Sequence, residues 1–294
     1  MQINFQVTEE LDNKTVNHVL KGPMNLSGNL IKRLKYTNGI LLNGKTVRTI
    51  DPVKAGDTIA VNITFREETG IKPENIPLSI IYEDDCLLAV DKGPHTPVHP
   101  SAGYHTGTLA QAVLWHFQEH GLQIKVRPVN RLDRDTSGII LFAKNAYIQE
   151  QLIRQMKENR IYKSYLGIVH GIFEPKSGTI RLPIARKEGS ILERTIDESG
   201  DDCITHYETL ACYTDLSLVK FVLETGRTHQ IRVHAKALGH PIQGDWLYSD
   251  IPTNLIDRQA LHSHQFFFDH PITGMRIELT SPLPDDMKKA LESL

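Results

Sequence analysis

Near the start of the chain the apolar residues recur at helical spacing. Val16, Val19 and Leu20 form one set, and Leu30, Ile31 and Leu34 form another inside "SGNLIKRLKYTNG". Residues three and four apart share a helix face, so the spacing predicts two short helices. Ser27 is placed to cap the second helix and Gly39 to end it. "ILLNGKTV" then predicts two short strands around Asn43-Gly44, a pair that tolerates the positive φ of a tight hairpin. "VKAGDTIAVNI" predicts a turn at Gly56-Asp57 followed by a strand. "REETGIKPENIP" is polar, carries Pro73 and Pro77, and reads as a linker.

From Leu78 onward the pattern changes. "LSIIYEDDCLLAVDKG" predicts a strand, a charged turn and a strand, and "GIILFAKN", "KSYLGIVHGIF", "HYETLACYT", "LSLVKFVLETG" and "MRIELTSPLP" predict further strands. Helical spacing returns in "GTLAQAVLWHFQEHG" through Leu109, Val113 and His116/Phe117, and in "YIQEQLIRQMKENR" through Ile148, Leu152 and Met156. "THQIRVHAKALG" predicts a helix capped by Thr228 and ended by Gly239. Strands outnumber helices and do not alternate with them. The expectation is an α+β protein: a small module over residues 1–68, a linker over 69–77, and a larger domain with a mixed, mostly antiparallel sheet over 78–294.

Composition changes this picture in one place. The 294-residue chain has a formal net charge of −2, which gives no hint of a polyanionic partner. Between Lys14 and Lys54, however, stand eight basic residues and one acid, Asp51, a local balance of 8 − 1 = +7. Lys32, Arg33 and Lys35 lie off the apolar side of the second helix and are candidate contacts for a polyanion. "MQINFQVTEE" has neither a basic opening nor an apolar run, so no signal peptide is expected. No apolar run is long enough for a membrane span. The three cysteines form no CxxC pair, so a cytoplasmic, disulfide-free protein is expected.

Two stretches carry candidate chemistry. "NRLDRDTSG" (130–138) alternates arginine and aspartate just before the apolar run from Ile139 to Phe142. A solvated turn explains such a stretch. So does a loop that aims a carboxylate into a dry site, where the carboxylate needs a partner. "TGRTHQIRVHAKALGHPIQGDWLY" gathers Arg227, His229, Arg232, His234, His240, Asp245 and Tyr248. Its histidines are five and six residues apart, which does not put them on one helix face, so no metal site is expected. Arg227 and Arg232 suit phosphate or carboxylate pairing. Arg134 and Asp135 are expected to bridge locally at the surface. Asp245 and Tyr248 are expected to tie the helix end to the sheet.

"NRLDRDTSG", "KSYLGIVHG" and "TGRTHQIRVHAKALGHPIQGDWLY", in that order, resemble the motifs of the RluA-type pseudouridine synthases. "IIYEDDCLLAVDKGPHTPVHPS" and "RQALHSHQFFFDHPITGMRIELTSPLP" match the flanking pattern, so the resemblance runs from Ile80 to the C-terminus. The module from Lys14 to Thr64 more weakly resembles the S-four-type RNA-binding domain. The resemblance implies that Asp133 is the catalytic carboxylate and Arg232 its partner. It also implies that Tyr165 stacks on the target uracil and that Arg131 supports a flipped nucleotide, with Arg227 as a further substrate contact. The sequence departs from the family pattern at Asn130, where histidine is usual, and at "KGPH" (92–95).

The implied reaction breaks the bond from uracil nitrogen 1 to the sugar and joins carbon 5 to the same sugar carbon. Nothing is oxidised and no group is imported, so no cofactor is expected. Asp133 either attacks the anomeric carbon or removes the sugar's 2′ proton, and the residues alone leave both open. The expected partner is RNA, ribosomal first and transfer RNA second, met by a monomer. A non-catalytic RNA-binding protein is the alternative from another class. A uracil-releasing hydrolase is a third, weakened because it needs a second carboxylate to handle water.

Overall fold

The computed structural model describes residues 1–252 and 254–294. The N-terminal region runs β1 (Gln2–Gln6), α1 (Val16–Lys21), α2 (Gly28–Tyr36), β2 (Ile40–Leu42), β3 (Lys45–Thr46) and β4 (Thr58–Asn62), with strand order β1-β4-β2-β3. Thr15 and Ser27 cap the two helices by accepting the His18 and Leu30 amides, each at 3.3 Å. The end of α2 differs from expectation. Asn38, at φ 51°, takes the left-handed position, and the Gly39 amide then returns to the Leu34 carbonyl at 2.9 Å. Asn43 and Gly44 turn the hairpin with φ of 49° and 80°. β1 has no counterpart in the sequence reading, because "QINFQ" offers only Ile3 and Phe5 as its alternating apolar pair.

The rest of the chain runs β5 (Ile80–Glu83), β6 (Leu87–Lys92), α3 (Leu109–Glu119), β7 (Ser137–Ala143), α4 (Ala146–Lys157), β8 (Tyr162–His170), β9 (Ser177–Arg181), β10 (Ile184–Arg186) and β11 (Arg194–Ile196). It continues through β12 (Ile204–Cys212), β13 (Leu216–Leu223), α5 (Gln230–Ala237), β14 (Leu261–Asp269), β15 (Arg276–Thr280) and α6 (Asp285–Glu292). One large sheet has the order β5-β6-β7-β14-β8-β13-β12-β9, with β15 also paired to β14. β10 and β11 form a separate hairpin. Among the described residues the large sheet's only parallel pairing is β7 with β14, so the fold is α+β with a mostly antiparallel sheet.

Alternation along β6 and β7 covers both faces of the sheet. Leu88, Val90, Ile140 and Phe142 pack with Val113 and Phe117 of α3. Leu87, Ala89, Ile139 and Leu141 join a cluster with Ile148 and Leu152 of α4 and with Leu20, Leu30 and Leu34 of the N-terminal region. A strand buried on both faces reads as an unbroken apolar run, which is why "GIILFA" shows no period of two. The N-terminal region therefore shares its core with the large sheet. The Gln151 amide also donates to the Asn25 carbonyl at 3.1 Å. Residues 66–77 form no helix or strand. Within them, Glu67 joins the two regions, 2.7 Å from Arg33 and 2.6 Å from Arg127. Among the described residues no helix is long and apolar enough to cross a membrane.

The parallel seam positions the site. β7 and β14 meet only at Ser137/His262 and Gly138/Ser263. Gly138 sits at φ 106°, and a Cβ there would collide with the Ser263 backbone. The Thr-Ser-Gly that ends "NRLDRDTSG" thus delivers the charged loop to the middle of the sheet.

Candidate active site

The loop from Asn130 to Thr136 is held at several points. Asn130 bridges to β7: its Nδ2 donates to the Ile139 carbonyl at 3.0 Å and its Oδ1 accepts the Leu141 amide at 2.9 Å. The side chain thus replaces a strand partner, which is the use this chain makes of asparagine where the family pattern has histidine. Lys92 donates to the carbonyls of Arg134 (2.7 Å), Gly93 (2.8 Å) and Thr96 (3.1 Å). Its burial pushes its pKa down to about 7. Arg258, with none of its side chain exposed, donates to the Asp135 carbonyl at 3.1 Å and is anchored on Asp286 at 2.6 Å. The Arg134–Asp135 pair forms as expected, at 2.8 Å, but not at the surface. Asp135 is only 5% exposed, and His95 from the "KGPH" turn also approaches it, at 3.1 Å. The Asp133 side chain, 27% exposed, projects from this clamped loop.

Its partner comes from α5. The helix begins differently from expectation: His229 rather than Thr228 occupies the cap position, in the left-handed conformation at φ 60°. Arg232 follows one turn later, with its side chain 4% exposed. Its Nη1 donates to Asp133 Oδ2 at 2.9 Å, while Nε and Nη2 grip Asp245 at 2.6 and 2.8 Å. Burial works against the guanidinium charge, but the Asp245 and Asp133 carboxylates outweigh it and push the Arg232 pKa up. Asp245 in turn accepts the Leu247 and Tyr248 amides at 3.1 and 3.2 Å. The Tyr248 hydroxyl accepts the Arg194 amide at 2.8 Å and lies 2.8 Å from His229 Nδ1. A hydroxyl that accepts from an amide is free to donate to the imidazole. When it does so, the His229 proton sits on Nε2, which faces Asp133 Oδ2 at 3.7 Å. Burial pushes the His229 pKa down, favouring this neutral form.

Tyr165 stands on β8, opposite Ser263 of β14 and Phe221 of β13. It is buried, and its hydroxyl pKa is pushed up to about 12 by that burial. Asp133, Tyr165, Arg232, Arg131 and Arg227 line one cavity, together with the apolar side chains of Leu223 and Leu261. Arg131 is exposed at its mouth and has no ion-pair partner among the described residues. Arg227 is half exposed, with Asp201 3.6 Å away. Lys32, Arg33 and Lys35 do not reach this cavity; they lie on α2. Lys32 and Lys35 face solvent, whereas Arg33 is committed to Glu67 and lies 3.8 Å over the Phe65 ring.

Sequence reasoning passed over the supports of this site: Lys92, Arg258, His229, and Asp245 with Tyr248, which it treated as a helix tie. Only Asp245, three residues before the tyrosine that ends the third motif, offered a signal for one of them. The three motif histidines part ways. His234 bonds to Thr205 and the Leu182 carbonyl, and His240 to the His170 carbonyl. Asp84, Cys86 and His270 bring three possible ligand atoms within 4.8 Å, but none of them lines the cavity. Asp84 is already occupied by the Tyr82 hydroxyl, His270 and two backbone amides.

An ion-paired carboxylate beside a buried aromatic ring, in a cavity with the unpaired Arg131 guanidinium at its mouth, is equipped to hold a flat base and act on the sugar attached to it. Comparison with known proteins agrees. Residues 86–237 match the family model described as RNA pseudouridylate synthase. The "Uncharacterized RNA pseudouridine synthase YjbO" of Bacillus subtilis (strain 168) is 38% identical over 275 residues, 92% of this chain and 96% of that protein. The "Ribosomal large subunit pseudouridine synthase D" of Xanthomonas campestris pv. campestris is 35% identical over 267 residues, 86% of this chain and 80% of that protein. Among solved structures, "Human RNA Pseudouridylate Synthase Domain Containing 1" is 26% identical with a TM-score of 0.59, over 74% of this chain and 86% of that one. The chain belongs to the RNA pseudouridine synthase family and is an isomerase that converts uridine in RNA to pseudouridine.

Proposed function

We propose that this enzyme modifies ribosomal RNA, and that Asp133 carries the reaction on a uridine flipped out of its stack. The observation that carries the reading is the 2.9 Å contact of Arg232 with Asp133 at the edge of the cavity walled by Tyr165. In this reading the carboxylate either bonds to the anomeric carbon or removes the 2′ proton. The bond from that carbon to nitrogen 1 breaks, the base turns, and carbon 5 bonds to the same carbon as the carboxylate leaves it or the 2′ proton returns; carbon 5 then loses its proton and nitrogen 1 gains one. Tyr165 holds the base by its face, and Arg131 fills the gap left in the RNA. The backbone follows a cleft of about 430 Å³ where Arg131, Arg186, Arg194 and Arg227 meet a single carboxylate, Asp201. Four guanidiniums against one acid suit phosphates. The N-terminal region acts as an S-four-like grip through Lys32 and Lys35. The Xanthomonas relative is named for the large ribosomal subunit, and that name supports the choice of RNA. The protein works in the cytoplasm as a monomer, and all three of its cysteines are free.

Mapping pseudouridines in large-subunit ribosomal RNA and in transfer RNA, with and without this enzyme in its host, tests the substrate. A site lost from ribosomal RNA is the expected result. A site lost from transfer RNA alone overturns the ribosomal assignment and leaves the chemistry standing.

A further inference from the structure

Asp133 and Arg232 also border a second cleft, which Tyr165 does not line. It measures about 340 Å³; Tyr104, Leu192 and Trp246 stand around it, and Arg134 and Gln259 lie within it. Trp246 is 62% exposed, Leu192 58% and Tyr104 40%. They come from three separate segments: the loop between β6 and α3, the β10–β11 hairpin and the turn after α5. Large apolar side chains that converge from separate segments yet stay in water mark a binding surface rather than packing.

The polar groups are mostly committed. Arg134 is bidentate on Asp135 at 2.9 and 2.8 Å and also donates to the Tyr104 hydroxyl, which holds that ring in place. Gln259 is different. It is 1% exposed and donates Nε2 to Thr136 at 3.2 Å, but its Oε1 has no hydrogen-bond partner among the described residues. A buried amide atom left unpaired is costly unless something meets it. Flat aromatic surface together with an unpaired amide suits a nucleobase, whose face stacks and whose edge bonds. A phosphate fits poorly here, because the two arginines that line the cleft, Arg134 and Arg232, are already committed to Asp135, Asp133 and Asp245.

We propose that this cleft seats the base next to the target uridine in the RNA strand, with Trp246 as its stacking platform and Gln259 at its edge. The inference rests on the target lying in the Tyr165 cavity, which shares Asp133, His229 and Arg232 with this cleft. One strand can therefore fill both with adjacent nucleotides. A purine is the expected neighbour, since its wider ring covers more of the indole.

The chain has two tryptophans, so Trp115→Phe leaves Trp246 as the sole indole reporter in the full-length protein. This protein is titrated with a nonanucleotide holding one uridine among adenosines, and with the same oligonucleotide made abasic on both sides of the uridine. Fluorescence anisotropy of labelled RNA measures binding independently. The adenosine-flanked RNA should quench Trp246 strongly. The abasic RNA should bind roughly tenfold more weakly and quench little. If both bind and quench Trp246 equally, or neither quenches it, the inference is overturned; failure of either to bind overturns it too. Kinetics give a second readout on the RNA in which the parent forms pseudouridine. Trp246→Leu should raise KM roughly tenfold with kcat nearly kept, and Trp246→Phe should recover most of the loss. An unchanged KM for Trp246→Leu defeats the cleft assignment alone. Robust product from Asp133→Asn defeats the catalytic reading alone.

Discussion

Arg232 and Lys32 are both cations on amphipathic helices, and their surroundings have almost nothing in common. Arg232 is 3% exposed and locked between Asp133 and Asp245. Lys32 lies on the solvent side of α2, with no ion pair among the described residues. Taking a guanidinium out of water costs several kcal/mol, and only close carboxylates with good geometry offset that. In return the charge has one direction, toward Asp133. A solvated lysine costs almost nothing to hold and points nowhere in particular. It adds attraction to any polyanion nearby, and salt weakens that attraction. Buried charge therefore serves chemistry at one atom, and solvated charge serves affinity.

The sharpest break in that contrast is Asp133→Asn. It keeps the shape of the site and removes the charge that Arg232 addresses. Pseudouridine formation in single-turnover assays should fall by at least roughly a thousandfold, while RNA binding stays within about twofold. Product at the parental rate would return the loop to a charged turn.

Asp245→Ala attacks the other side of the same guanidinium. It leaves a buried cation with one carboxylate and two amides without their acceptor. Urea unfolding should show a loss of about 3–5 kcal/mol. The variant should also be slow, because Arg232 is no longer aimed. A stability loss like that of an exposed pair, about 0–1 kcal/mol, would mean that the chain Asp245–Arg232–Asp133 does not hold the site.

pH probes burial of charge at the seam beneath the site. His262 is 1% exposed, 2.9 Å from the Ser137 hydroxyl, and burial pushes its pKa down to about 4. The unfolded chain takes up this proton near the ordinary histidine pKa, before the folded chain does. The contribution to stability is thus complete above about pH 6.5 and is lost as pH falls toward about 4. Between pH 7 and pH 4 the parent should lose roughly 3 kcal/mol more than His262→Asn does. Parallel curves for the two proteins would refute this.

The smallest effect belongs to the solvated side. Lys32→Ala with Lys35→Ala should leave folding and single-turnover chemistry unchanged and weaken RNA binding several-fold. The slope of log affinity against log salt should fall by about one for each lysine that meets a phosphate. Arg33→Ala should behave differently, with a loss of stability, since Arg33 is tied to Glu67 and Phe65.

Much of this could be read from the sequence alone, because the patterns involved are local. Helical spacing located α1 to α5, and Asn43-Gly44 located the first hairpin. Motif order and spacing singled out Asp133, Tyr165 and Arg232, which the fold brings to one cavity. β1 escaped notice because two apolar residues make no pattern. The caps at Asn38 and His229 escaped because left-handed backbone at a non-glycine residue is decided by what its side chain and neighbours meet.

What only the tertiary structure decided is which charges lie buried and with whom. Asp133 and Arg232 are 99 residues apart in sequence, and Arg258 and Asp135 are 123 apart. No local periodicity encodes such a pair. "RLDRD" reads equally well as a solvated turn, and "IKRLK" reads as three equivalent cations, of which Arg33 is already spent. Burial separates these cases, and burial depends on the whole sheet closing around the seam between β7 and β14. The residue types that can do the chemistry are written in the chain. Their exposure, and with it their energy and direction, is set by the packing of segments that sequence keeps far apart.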